Sequence, residues 1–417
     1  MSASKRVVVI GGGVIGATSA WYLREAGCDV TLIDQKQFGS GCSHGNCGYV
    51  CPSHVLPLAT PGALWNTLKT LVARNSPLKV RWRLDPALWR WFWQFARKCN
   101  ERDMLRAATA IQSLLVSSRS LYDGLFAQLL TDVEWETSGL LFVYLSQREM
   151  DHYAATDELL RTKFQLGAKR YDGPQLSELE PALKPGIAGA WHYTTDGHLR
   201  PDKLMQSWRS VLSRAGVDIR EACQLTGFDR EGSIVRAVQT STGPIAADQV
   251  VVATGAWTPQ LRAQLQTSIP IEPGKGYSLV MPKPSICPKI SMIFEEHRVA
   301  ITPLATTYRI GSTMEFAGYD TSIRPERLKL LTDGAAIYLR EPVATPTIES
   351  WFGWRPMTPD SLPLIGRLPR LTNVTLAAGH GMLGLSMAPG TGKLVSQIVT
   401  GAAPHIDPLP YAVERTL

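Results

Sequence analysis

Three glycines, Gly11, Gly13 and Gly16, follow a short apolar run at residues 7–10 in the spacing G-x-G-x-x-G. Each has separate work at this spacing. Gly11 permits a tight turn, Gly13 lets backbone come close to a pyrophosphate, and Gly16 lets the next helix pack against the strand. Val14 and Ile15 open that helix, so its unpaired N–H groups and positive dipole end face the phosphates. Asp34, with Gln35 after it, closes a second apolar run at 30–33. Its carboxylate can accept hydrogen bonds from ribose hydroxyls and would repel a 2′-phosphate, which points to an adenosine cofactor other than NADP. Glycine recurs at Gly255, preceded by Thr254, after the apolar run 250–253, and at Gly381 and Gly384 in G-H-G-M-L-G, ahead of a helix read from Pro389. Three glycine-rich strand ends so far apart suit a cofactor longer than NAD, lying across a whole sheet. That cofactor is FAD.

The elements that must position these residues follow from pattern. The first helix runs through Trp21, Tyr22 and Leu23 and stops at Gly27, which suits a left-handed cap. Residues 35–54, rich in Gly, Ser, Asn and Cys, read as a loop. Cys42, Cys47 and Cys51 raise a metal reading, but no fourth ligand of suitable spacing follows, and free thiols with no metal are the expectation; His44 reads as a loop residue near the cofactor. From 61 to 100 the pattern turns helical, first at Leu64, Trp65, Leu68, Leu71 and Val72, then at Leu88, Trp91, Phe92, Phe95 and Cys99. A third helical pattern runs from Ile111 to Leu129, and residues 139–193 read as α+β. A helix at 201–215, strands near 217–219 and 234–240, and the buried strand 250–253 then resume the nucleotide layer. Short strands dominate 270–350, with a helix at 325–340. The expectation is therefore an α/β fold: a discontinuous Rossmann-like FAD-binding domain at 1–60, 195–262 and 352–417, with an inserted α+β substrate domain at 61–194 and 263–351.

Composition sets bounds. A length of 417 residues suggests two domains, and seven cysteines in no framework spacing argue for a reducing, cytoplasmic compartment. The start MSASKR passes directly into the first strand without a signal-peptide stretch, and no run of eighteen apolar residues is present. The net charge of +7 could favour anionic substrates or lipid headgroups, and no nucleic-acid module accompanies it.

A group of motifs carries a resemblance: the N-terminal glycines, S-x-x-N-x-G at Ser43, Asn46 and Gly48, ATG at 253–255 followed by A-W, PGKGYS at 273–278, GWRPMTPDSLPLIG at 353–366, and GHGMLGLSMAPGTGKL at 379–394. Together they resemble the D-amino-acid oxidase family of FAD-dependent oxidoreductases, nearly end to end, and within it the bacterial D-amino-acid dehydrogenases of small-subunit type. The cysteines at 42–51 depart from the family pattern, which more often has Ala or Ser there. The resemblance implies non-covalent FAD and oxidative deamination of D-amino acids to 2-oxo acids and ammonia. Hydride passes from Cα to flavin N5, and the electrons go on to a quinone or other non-oxygen acceptor. It also implies residue roles. Gly11, Gly13 and Gly16, with Val14 and Ile15, hold the pyrophosphate, and Asp34 and Gln35 the ribose. Ser43, Asn46 and Gly48 lead toward the flavin, although Asn46 also fits a plain turn residue; Leu225, Thr254 and Gly255 line the cofactor. Gly381, Met382 and Gly384 serve the flavin pyrimidine, and His380 either donates there or only packs. Arg355, in G-x-R-P, takes the substrate carboxylate, for which a guanidinium fork is matched in geometry; the alternative is an ion pair with Asp360. Tyr277 and Tyr308 are candidate pocket walls or hydroxyl donors, with core packing as the alternative. Competing readings are an oxidase or dehydrogenase of sarcosine, glycine, proline or hydroxyproline, and a non-catalytic flavin-binding redox protein. Eight Lys or Arg against one acid between Trp65 and Lys98, with Trp89 and Trp93 beside Arg90 and Arg97, suggest peripheral membrane contact on the cytoplasmic face; an interdomain or subunit contact is the other reading.

Overall fold

The computed structural model describes residues 4–63, 76–81 and 83–415. The helical reading at Leu64, Trp65, Leu68, Leu71 and Val72 lies outside the described residues. A six-stranded sheet runs in the order Leu364–Arg367, Val374–Ala378, Gln249–Val252, Arg6–Ile10, Asp29–Ile33 and Asp218–Arg220. All its pairs are parallel except the edge strand Leu364–Arg367. Val9 stands between Val251 and Leu32 in the central register, and all three are buried, as continuous apolar runs require when both faces of a parallel sheet are covered.

Helices Val14–Glu25 and Gly384–Thr400 lie together on this sheet. Their approach depends on Gly392, where a Cβ would stand 2.6 Å from the backbone of Thr18. The C-terminal helix begins at Gly384, five residues before the start read from Pro389, so the proline lies inside it. A proline there denies the carbonyl of Leu385 its helical partner. The Tyr122 hydroxyl donates to that carbonyl instead, at 2.8 Å. The exception to the helix rule thus comes with a side chain that satisfies it.

Tyr122 belongs to the long helix Glu101–Gln128, capped by Asn100, whose Oδ1 accepts the Asp103 N–H at 3.0 Å. Its apolar stripe of Ile111, Leu114, Leu115 and Tyr122 is buried on the C-terminal helix, where Ser118 Oγ accepts the Gly390 N–H at 3.0 Å. The sequence reading grouped this helix with the inserted substrate part; its packing places it on the nucleotide layer.

A nine-stranded sheet forms the second layer. Its main path is Glu349–Met357, Glu272–Pro282, Thr307–Phe316, Val299–Pro303, Ser291–Phe294, Leu140–Tyr144, Gly189–Tyr193 and Lys169–Asp172, and Leu78–Val80 also pairs with Thr307–Phe316. The expected boundary at 352 cuts the first of these strands. Residues 349–357 pair with 272–280 along their full length, so Arg355 belongs to this sheet. One face packs on helix Pro325–Tyr338 through Leu279, Met292, Ile310 and Leu331. The other face receives the loop at 41–48.

Candidate active site

The N-terminal turn has two kinds of glycine. Gly11 sits at φ +110°, and a Cβ there would lie 2.5 Å from the Ala253 carbonyl oxygen; one on Gly16 would lie 1.8 Å from the Gly11 oxygen. These two close the strand, turn and helix on one another. Gly13 is different, for its nearest neighbour would be Ser43 Oγ at 3.4 Å, and a ligand has room there. Ser43 Oγ accepts the Val14 N–H at 3.0 Å, which ties the following loop to the helix start beside Ile15. Asp34 is fixed by the N–H groups of Gly12 and Lys36, each at 2.7 Å and each to a different oxygen. Each oxygen keeps a second lone pair for a ribose hydroxyl. The exposed Gln35 lies between these contacts. Cys223 N–H donates to the Asp34 carbonyl at 2.8 Å, which brings Leu225 alongside at the start of its strand. Thr254 Oγ1 meets Thr258 Oγ1 at 3.0 Å. Gly255, at φ +54°, has open space where a Cβ would be. Open backbone at Gly13 and Gly255, with a positioned carboxylate at the end of the strand on the other side of Gly13, fits an adenine dinucleotide.

The loop at 41–48 lies between the layers. Asn46 Oδ1 accepts the Gly48 N–H at 2.7 Å, so its carboxamide forms the turn. Gly48, at φ +84°, leaves no space for a Cβ, which would come within 2.0 Å of the Leu199 oxygen. Both shape the loop by its backbone. The three cysteines diverge. Cys42 Sγ donates to the Trp354 carbonyl at 2.6 Å, and Cys47 Sγ lies over Gly311. Cys51, His54 and Asp196 have ligand-capable atoms within 4.8 Å of one another, and Asp196 is already held by the Ser53 N–H at 3.0 Å and hydroxyl at 2.5 Å. His44 Nε2 pairs with Glu349 at 2.8 Å.

Arg355 lies over Gly276, the place where its guanidinium atoms come within 2.5 Å of any Cβ that might be added. Its Nη1 donates to the Thr313 carbonyl at 2.7 Å. That carbonyl is offered by a bulge in which Ser312 and Thr313 take φ of +116° and +54°, strained backbone of the kind that persists where a site needs it. No carboxylate pairs with Arg355 among the described residues. Asp360, the alternative partner, is taken by Arg415 through bonds of 2.7 and 2.9 Å. Burial pulls the Arg355 pKa below its ordinary value, with the thiols of Cys47 and Cys42 acting the other way. A guanidinium partly removed from water with N–H groups to spare binds a carboxylate more strongly than one on the surface.

Tyr277 and Tyr308 do not join this group. Side chains alternate along strands, so both project to the face opposite Arg355 and Gly276. There Tyr277 donates to the buried Glu315 at 2.8 Å, and Tyr308 packs with Ile310 and Phe294. His380 is buried against Thr391 at 3.0 Å, and burial pushes its pKa down to about 3, so it is neutral and packed. The Gly381 N–H donates to the Pro356 carbonyl at 3.0 Å, not outward, and so links this loop to the neighbour of Arg355. Met382 and Gly384 lead into the C-terminal helix, whose first N–H groups have no intrahelical acceptor. Sequence reasoning passed over Arg309, which shares the face of Arg355; its parity with Gly311 in T-Y-R-I-G-S was the available signal.

A dinucleotide sheet facing a second sheet that carries an unpaired arginine defines a two-layer oxidoreductase. The chain belongs to the FAD dependent oxidoreductase family (DAO), whose model matches residues 6–398. It is 33% identical over 420 residues to a D-amino acid dehydrogenase of Paramagnetospirillum magneticum, covering 98% of each chain. It is also 33% identical over 419 residues to one of Dechloromonas aromatica, covering 96% of this chain and 98% of that one. Among solved structures, glycine oxidase from Geobacillus kaustophilus superposes with a TM-score of 0.81 at 22% identity, covering 99% of this chain and all of that one. L-proline dehydrogenase from P. horikoshii gives a TM-score of 0.75 at 22% identity, with 99% and 97% covered. These last two show a shared fold.

Proposed function

We propose that the protein is a D-amino-acid dehydrogenase, converting D-amino acids to 2-oxo acids and ammonia. The observation that carries this reading is Arg355, half-buried, held by the Thr313 carbonyl and paired with no carboxylate among the described residues. Bound FAD supplies a two-electron acceptor for the hydride leaving the substrate Cα. Arg355 grips the substrate carboxylate through its remaining N–H groups and so fixes which Cα bond faces the acceptor. Gly276 and Gly353 have no Cβ where the guanidinium and the Trp351 ring lie over them, so these side chains settle directly on the sheet. The neutral amine becomes an imine with loss of a proton, and water hydrolyses the imine to the products; no protein base is required. The test is anaerobic: D-alanine and other D-amino acids bleach the flavin, and their L-isomers do not. Preferential bleaching by N-methylglycine, glycine, proline or a hydroxyproline would move the assignment to that substrate.

The electrons, in this reading, pass to a quinone at the cytoplasmic membrane face. Helix Pro86–Lys98 supports it. Leu88 and Trp91 face inward, whereas Trp89 and Trp93 are 44% and 58% exposed, and Arg97 stacks on Trp93 at 4.7 Å. No helix among the described residues is long and apolar enough to cross a membrane, so contact would be peripheral.

A further inference from the structure

Four consecutive carbonyls of the 41–48 loop are held by side chains of the nine-stranded sheet. Arg309 Nη1 donates to the carbonyl of Asn46 and, at 3.5 Å, to that of His44. The Ser278 hydroxyl donates to Gly45 at 3.1 Å, and the Thr302 hydroxyl to Cys47 at 2.7 Å. Ser278, Thr302 and Arg309 stand on three adjacent strands in register, on the face that carries Arg355. Arg309 is 2% exposed, and its nearest carboxylate, Asp202, is 3.8 Å away.

A trans peptide points its N–H opposite to its C=O. Carbonyls of residues 44, 45 and 46 drawn toward the sheet therefore turn the N–H groups of Gly45, Asn46 and Cys47 away from it. None of these three has an acceptor among the described residues, whereas the next, on Gly48, is taken by Asn46. Three adjacent N–H groups with no protein acceptor form a cradle for an electron-rich group. The same loop is tied through Ser43 to the helix that faces the pyrophosphate.

We propose that Arg309 is a positioning residue for the cofactor: with Ser278 and Thr302 it clamps the loop carbonyls so that the N–H groups of Gly45, Asn46 and Cys47 meet FAD. Arg309 also places a buried positive charge behind the loop, which favours the reduced, more negative flavin. A lysine keeps the charge, but its chain ends one atom short of the path to Nη1, the nitrogen that meets both carbonyls, so it does not hold them in the same place. The two contributions can therefore be separated.

The experiment is reconstitution of apoprotein with FAD, followed by flavin fluorescence, and a midpoint potential on each reconstituted protein. Arg309→Met should weaken FAD binding at least tenfold and lower the potential. Arg309→Lys should weaken binding to a similar extent and leave the potential nearer to that of the unmodified protein. The double variant Ser278→Ala with Thr302→Val, which leaves the guanidinium in place, should weaken binding several-fold at unchanged potential. Thermal unfolding of each apoprotein separates loss of the loop from loss of the fold. Unchanged FAD affinity in the double variant, or in a folded Arg309→Met, would overturn the proposal. The readout involves no substrate, so it stands apart from the D-amino-acid assignment.

Discussion

Arg355 concentrates the expectations at the scale of single residues. Arg355→Lys keeps a charge but loses the planar fork, and kcat/KM for the preferred D-amino acid should fall by about 2 to 5 kcal/mol in transition-state terms with FAD retained. Steady-state kinetics on the yellow variant check this, and an unchanged kcat/KM would remove Arg355 from the substrate site. Asp34→Ala should weaken FAD by roughly 1 to 3 kcal/mol, the worth of charge-assisted bonds, measured by the same reconstitution titration. The buried histidines give the pH dependence its sign. Burial lowers the pKa of His198 to about 4 and of His380 to about 3. Their unfolded values near 6.5 lie above these, so their contribution is fully present above 6.5 and is lost as pH falls toward the folded values. Each should cost the apoprotein about 3 kcal/mol between pH 6.5 and 4. Urea midpoints should fall with acid, and His380→Gln should flatten that slope; a slope unaltered in the variant would mean that His380 titrates normally.

The Tyr122 hydroxyl and Gly392 set the expectations for whole elements. Tyr122→Phe leaves the Leu385 carbonyl beside Pro389 without a partner in a buried place, which should cost about 1 to 3 kcal/mol of stability. Gly392→Ala drives a methyl into the backbone of Thr18 and should cost a similar amount, about 1 to 3 kcal/mol, as overpacking does. Thermal unfolding of the two variants checks both. Helix Pro86–Lys98 carries a different kind of expectation: anionic liposomes should sediment the protein, and the combination Trp89→Ser, Trp93→Ser and Arg90→Glu should abolish this. Equal sedimentation of both proteins would assign the exposed tryptophans some other partner.

Across the whole molecule, what the sequence disclosed was local in origin. The strand, glycine turn, helix and second strand at 6–33 were legible because each signal lies within a few residues of the structure it specifies. Helix Pro201–Arg214 and strand Ile234–Thr240 appeared at their expected places for the same reason. What failed depended on partners distant in the chain. The affiliation of residues 349–357 is decided by pairing with 272–280, and that of helix Glu101–Gln128 by Gly390 and Leu385. Tyr277 and Tyr308 stood open between a pocket role and core packing although parity could decide it: in P-G-K-G-Y-S the glycines take one face and the tyrosine the other. Arg309 looked like any strand cation until its contacts with the loop could be seen.

The order of strands in the six-stranded sheet governs how the protein can be made. The strand Arg6–Ile10 leaves the ribosome well before one of its neighbours, Gln249–Val252, which is synthesised some two hundred and forty residues later and itself awaits Val374–Ala378. Contacts so distant form slowly and leave apolar strands uncovered in the meantime. The six-stranded sheet on which the glycine turns are built is therefore incomplete on a nascent chain until residues 374–378 have emerged, and stable loading of the cofactor should wait for them. Chains truncated before residue 374 should accordingly emerge colourless and protease-sensitive, however intact their N-terminal glycine turn.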